Sequence, residues 1–224
     1  MKKPLTLVLA VALALSLTAC GGGKSKKAFE ASKEAYQNIN AAYELTADYG
    51  SNIYEAWRLG IYDKDEIMDG GCSYLAKELN LSQEEVETGA AYSLAEAFGA
   101  SWDECTDEEK NSYKVMADSY FRGMEDNLFS WCVEVVSNTY IVNGKAAEAK
   151  DHLEAAKGQM KELSESYSDY EHYPALKGYY TTTSSFFDFC QNPTGSFEQL
   201  KTTVEDYKTT ARDFNADLDY IFED

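Results

Sequence analysis

Four kinds of side chain in this sequence have the chemistry to build a site: carboxylates in runs, two histidines, five cysteines and a cluster of aromatic rings. The first carboxylate run, Asp63-Lys64-Asp65-Glu66-Ile67-Met68-Asp69-Gly70, has the alternating oxygen donors with which a calcium loop begins. An EF-hand starting at Asp63 needs glycine at its sixth position and glutamate at its twelfth. This chain has Met68 and Tyr74 there. The run therefore reads as a solvated acidic turn. The second run is Asp103, Glu104, Asp107, Glu108 and Glu109. Carboxylates in a first helical turn complement the helix dipole, which accounts for this run without a metal.

His152 and His172 do not stand at metal-ligand spacing from each other or from a cysteine. There is no G-x-S-x-G elbow, no H-E-x-x-H helix and no glycine-rich phosphate loop. With 39 acidic residues some carboxylate pair is always at hand, so acid–base chemistry is not singled out. No catalytic, metal-binding or cofactor-binding residue is assigned. Cys72, Cys105, Cys132 and Cys190 permit two disulfides by three connectivities, or four free thiols, and the pairing stays open. Tyr179, Tyr180, Phe186, Phe187 and Phe189 are too closely spaced for all to face one narrow seam. A wide buried face is the plain reading. A groove for a peptide, a glycan or a partner helix is the functional one.

The elements that would carry these groups are helical. Phe29, Ser32, Tyr36, Ile39, Tyr43, Thr46, Gly50, Ile53 and Trp57 recur three and four apart, which predicts a long helix over 27–60. Residues 63–71 read as a polar connector, and a short helix is expected around 72–79. Ser82-Gln83-Glu84-Glu85 is a capping box opening a helix to about Phe98, with Gly99 as its stop. Thr106-Asp107-Glu108-Glu109 opens the next. One seam then runs from Tyr113 through Met124 and Leu128 to Val142, up to a stop at Asn143-Gly144. Further seams cover 146–167, 176–190 and 197–221, the last opened by a box at Ser196. Only three prolines occur. The fold expected is all-α: an elongated antiparallel bundle of long helices, with shorter helices between the first and second long ones.

The N-terminus carries a different message. Met1-Lys2-Lys3 is a short positive region, and residues 5–17 are an apolar run broken only by Thr6 and Ser16. The run is shorter than the ~20 residues of a spanning helix and reads as a signal peptide. Leu17-Thr18-Ala19-Cys20 resembles the lipobox of bacterial lipoproteins. That resemblance implies diacylglycerol (palmitate-type acyl chains) on the Cys20 thiol and cleavage just before it. Two acyl chains make a firm anchor, at about 0.8 kcal/mol per buried CH₂. The expected organisation is a signal peptide over 1–19, a lipidated flexible tether over 20–27 and a single helical domain over 28–224. Tyr173-Pro174-Ala175-Leu176-Lys177-Gly178-Tyr179-Tyr180, with Pro193-Thr194-Gly195-Ser196-Phe197, resembles the C-terminal region of uncharacterised helical lipoproteins of Gram-positive-type bacteria. This second resemblance implies helical hairpins and no catalytic residue.

Charge narrows the partners. The chain has a formal net charge of −19, and loss of Lys2 and Lys3 with the leader leaves the body more negative still. Such a body repels nucleic-acid phosphate and stands off anionic lipid. Its 44% apolar content and 17 tyrosines argue against disorder. The leading expectation is a membrane-anchored, extracytoplasmic, non-enzymatic interaction or scaffolding module of the cell envelope, with an envelope protein as partner. The alternative is capture of a cationic or aromatic-stacking small molecule or peptide. A cell-wall hydrolase is the weaker alternative, since it requires convergent carboxylates or a histidine beside a nucleophile.

Overall fold

The computed structural model describes residues 22–222, and every regular element among them is helical. The expected signal peptide and the lipid attachment at Cys20 lie outside the described residues. In chain order the helices are α1 (Gly22–Tyr62), α2 (Lys64–Glu78), α3 (Gln83–Ala97), α4 (Asp107–Gly123), α5 (Leu128–Val142), α6 (Lys145–Ser166), α7 (Tyr173–Gln191) and α8 (Phe197–Phe222). Two 3-10 turns, Trp102–Glu104 and Glu125–Asn127, flank α4. The all-α expectation holds.

Helix α1 is the element that α5, α6, α7 and α8 share. Its 41 residues span about 60 Å. Its seam positions Ser32, Tyr36, Ile39, Tyr43, Thr46 and Ile53 are buried. Helices α5 and α6 run antiparallel to it in one continuous line. The Tyr140 hydroxyl donates to Asp48 (2.6 Å) and accepts from Asn52 Nδ2 (2.8 Å). Lys145 meets Asp48 at 3.3 Å, and Asn38 Nδ2 donates to Gln159 Oε1 at 3.2 Å. The partner numbers rise along α5 and α6 as the α1 numbers fall. Asn143-Gly144, with Gly144 at φ +83°, is therefore a joint between two helices that keep one direction, and not a hairpin.

Helix α8 is also antiparallel to α1. Tyr43 Oη donates to the Lys208 carbonyl (3.3 Å), and the Tyr54 ring stacks on Phe197 (5.4 Å). Helix α7 runs with α1: Tyr179 Oη donates to Asn40 Oδ1 (2.9 Å), and further along Cys190 Sγ approaches the Thr46 carbonyl (3.8 Å). Two apolar clusters fill the interior. One gathers Tyr36, Ile39, Leu163, Leu176, Tyr179, Leu218 and Phe222. The other gathers Leu59, Leu75, Leu94, Phe121, Trp131, Val135 and Phe186.

Three local expectations need correction. The seam over 113–142 is not one helix. The chain breaks at Glu125–Asn127, and α4 turns away from the line of α5 onto α2 and α3, so that Trp131 lies 4.9 Å from the Tyr120 ring and 6.0 Å from Phe121. In a straight helix residues 120 and 131 would be about 16 Å apart. That turn buries Phe121 and Trp131 against each other, which a straight rod cannot do. The stretch 63–71 is not a connector either, because α2 begins at Lys64 and buries Ile67. Asp65 and Glu66 in its first turn favour that start. The break comes instead at Gly71 (φ +50°, ψ −129°), a conformation that a side chain disfavours. It frees the Cys72 N–H, which donates to Asp118 Oδ1 of α4 at 3.0 Å. Finally, α1 starts at Gly22, within the stretch read as a flexible tether. Helix continues upstream of the packed seam, with Lys26 and Lys27 exposed.

All four cysteines of the body are free thiols. Cys72, Cys132 and Cys190 are wholly buried, and Cys105 is partly exposed. Apart from Cys20, native protein should therefore show one fast-reacting thiol with Ellman's reagent, Cys105, and four after unfolding. Cys105→Ser should remove the fast phase. A native protein with two or more fast thiols would contradict the packing.

Candidate functional site

The five aromatic residues singled out by spacing belong to the interior or its edge. Tyr179, Phe186 and Phe187 are buried; Tyr180 and Phe189 are half-buried and pack against the core. Phe186 stacks on Tyr207 at 5.1 Å, and Phe189 lies 6.1 Å from the same ring. Tyr179 packs between Tyr36 and Tyr43. Burial, with the Tyr36 and Tyr43 hydroxyls second, raises its phenol well above the ordinary range.

The histidines are apart. His152 Nδ1 lies 3.0 Å from Asn38 Oδ1 on the α1–α6 face. His172 sits edge-on to Tyr170 and Phe222, with the Glu171 carboxylate 3.4 Å away. Among the described residues no group of three or more His, Cys, Asp or Glu is placed to hold a metal ion.

Two other surfaces stand out. The first is the outer side of α3 and α4. Helix α4 opens at the expected capping box: the Thr106 N–H donates to Glu109 Oε2 (2.8 Å), and the Glu109 N–H donates to Thr106 Oγ1 (3.3 Å). These bonds, backbone first, hold the Glu109 carboxyl below its usual range. The helix buries only Ala117 and Phe121. Its solvent-facing side is largely charged and polar, and within it Val115 is 75% and Met116 42% exposed. Phe98, just past α3 and 59% exposed, stacks on Tyr113 (6.3 Å). Tyr113 and Met116 are three apart and so share a side of the helix. The acidic run Asp103, Glu104, Asp107, Glu108 and Glu109 borders this patch and is exposed throughout.

The second surface is a cleft of about 590 Å³ beside α5. Ser130, Val133, Glu134, Ser137, Asn138 and Ile141 line it along one side of that helix; Tyr49 comes from α1, Glu96 from the last turn of α3, and Gln191, Asn192 and Pro193 from the end of α7. No lysine, arginine or histidine is among the lining residues. Tyr49 stacks on Tyr140 at 4.4 Å. Burial pushes its phenol up to about 12, against a smaller opposing effect of a hydrogen bond with Ser137. Partial burial, and then the neighbouring Glu96 carboxylate, push the Glu134 carboxyl above its usual range.

Asn138 is only 6% exposed. Its Nδ2 donates to Ser93 Oγ (2.8 Å), and among the described residues no donor reaches its Oδ1. Sequence spacing did not bring this cleft together, because its residues come from four helices. One signal was present: Glu134 is the sole charged residue in the otherwise apolar and polar-neutral α5. None of the five aromatic residues lines this cleft or the smaller one of about 350 Å³ on α1 beside Phe222.

The fold and these surfaces define an acidic, all-α protein with a few exposed apolar side chains on α3–α4 and a cleft whose charged lining residues are Glu96 and Glu134. Comparison with protein-family models, with curated proteins and with solved structures gives no match.

Proposed function

We propose that the chain is a lipid-tethered, extracytoplasmic interaction module of the cell envelope, anchored through Cys20, that docks a basic partner segment on its α3–α4 face. Catalysis is no part of this reading. The observation that carries it is the exposed Phe98, stacked on the half-buried Tyr113, with the exposed Val115 and Met116 on the same helix as that tyrosine, set against an acidic border. Single exposed apolar residues are ordinary. Several such residues on neighbouring elements, with a charged rim, mark a partner surface. The carboxylates beside it favour a partner with lysines and arginines around its own apolar anchors. The Leu17-Thr18-Ala19-Cys20 motif supports the anchor.

A photo-crosslinking residue at Met116, in cells, should capture one discrete partner carrying a basic segment; the same residue at the exposed Glu165 of α6 should not. Val115→Asp should abolish the adduct without shifting the helical signal. Detergent-phase partitioning of the parent, lost in Cys20→Ala, checks the anchor. No adduct at Met116, or one that survives Val115→Asp, would refute the docking surface.

A further inference from the structure

The cleft beside α5 has the attributes of a cation site and none of a site for anions. Its charged lining residues are Glu96 and Glu134. They reach it from different helices, and the Glu134 carboxyl is raised first by partial burial and then by repulsion from Glu96. A bound positive charge between them would relieve that repulsion. Gln191 and Asn192 stand at the end of α7, and Glu96 in the last turn of α3. Helix C-termini carry partial negative charge, so both ends add to the same field. Asn138 supplies an independent pointer. A side chain this buried normally satisfies its polar atoms within the protein. Here the N–H faces Ser93 and the carbonyl oxygen is left to the cleft, an acceptor awaiting a donor.

The remaining lining selects among cations. Val133, Ile141 and Pro193 offer apolar contact that a hydrated metal ion cannot use, while methylenes can. The volume of about 590 Å³ is in the range of small-molecule sites and far above that of a bare ion. We infer that this cleft binds an aliphatic di- or polyamine, whose ammonium groups bridge Glu96 and Glu134 and donate to Asn138 Oδ1 while its methylenes lie along Val133 and Ile141. This site lies on different residues from the α3–α4 docking patch, and its occupancy does not depend on that docking.

Spermidine and putrescine, titrated calorimetrically into the parent protein at about 0.15 M salt, where exposed charges are screened beyond ~8 Å, test the site. Saturable one-to-one binding is expected. Glu96→Gln and Glu134→Gln should each weaken it at least tenfold, since both substitutions keep size and remove charge. Glu162→Gln and Glu165→Gln, on the exposed side of α6, should leave it unchanged. Magnesium alone should neither bind with that stoichiometry nor compete. Failure of both amines to bind would overturn the site. So would equal weakening by the α6 substitutions, or displacement by magnesium, because diffuse attraction to an acidic body would then explain the binding.

Discussion

Gly89→Ala should melt about 6 °C below the parent protein, and Gly158→Ala about 2 °C above it, at roughly 3 °C per kcal/mol for a chain of this size. Both glycines lie inside helices, and in both the substitution improves helix propensity by up to about 1 kcal/mol. What separates them is packing. A Cβ at Gly89 would fall inside contact distance of Thr139 Oγ1, the Thr139 amide and the Val135 carbonyl. Two of these three atoms are α5 backbone, which cannot rotate away. Nor can α5 retreat. Its far side is held by the Tyr49–Tyr140 stack, by the Asp48–Tyr140–Asn52 hydrogen bonds and by the approach of the Phe129 backbone to Gly60.

Overpacking of that kind costs about 1–3 kcal/mol and occasionally more. Here the upper end applies, leaving a net loss of about 2 kcal/mol after the propensity gain. At Gly158 nothing lies within 4 Å of the added carbon, so only the gain remains. Scanning calorimetry of the two variants checks the pair. A Gly89→Ala protein as stable as its parent would mean that α3 and α5 do not cross at this residue.

The Gly89 crossing also shows where sequence reading stops. The capping boxes at Ser82, Thr106 and Ser196 were legible because each is closed by residues three apart, and all three form. The α8 seam was legible for a similar reason: Leu200, Val204, Ala211 and Leu218, four and seven apart, lie on its buried face. The break at Glu125–Asn127 was not. The seam passes through Met124 and Leu128 without losing step, so Gly123 at the end of α4 reads as one more glycine inside a helix and not as a stop. The cause of the break is the tertiary contact of Phe121 with Trp131.

Helix α2 was hidden by Gly70-Gly71, which resembles a loop in sequence. It is a kink that Asp118, 46 residues away in sequence, caps from outside. The aromatic run at 179–189 was visible as a cluster, and its burial comes from the α1 and α8 rings stacked on it. The cleft is the extreme case. Glu96 and Glu134 meet only because Gly89 and Ser93 let α3 lie close on α5, so no local pattern announces them. The same small-residue crossing that makes Gly89→Ala destabilising thus also positions the two carboxylates.

Stability should collapse on the alkaline side well before the tyrosines alone would demand it. Cys72, Cys132 and Cys190 are all held as neutral thiols by burial, which pushes Cys132 up to about 12 and raises the other two in the same direction. For Cys72 the Asp118 carboxylate adds to burial. Tyr43, Tyr49, Tyr140 and Tyr179 are raised in the same sense, chiefly by burial, and Tyr140 also by its bond to Asp48. Each group binds its proton more tightly folded than unfolded. Its contribution is therefore complete below the unfolded pKa, about 8.5 for cysteine and about 10 for tyrosine, and is lost as pH rises above it.

At pH 10.5 each thiol kept protonated while its unfolded counterpart is ionised costs about 2.7 kcal/mol, and the three together reach about 8 kcal/mol, comparable with a whole domain's stability of about 5–15 kcal/mol. Helical circular dichroism should fall cooperatively between about pH 9.5 and 11. Cys132→Ala separates this linkage from simple repulsion among the carboxylates. That variant should be less stable than the parent at pH 7, where it loses packing. Its stability difference between pH 7 and pH 10 should nevertheless be smaller than the parent's by about 2 kcal/mol, because one titrating thiol is gone. Urea midpoints for both proteins at the two pH values measure this directly. An unchanged difference would place Cys132 in contact with water and remove it from the core that α3, α4 and α5 share.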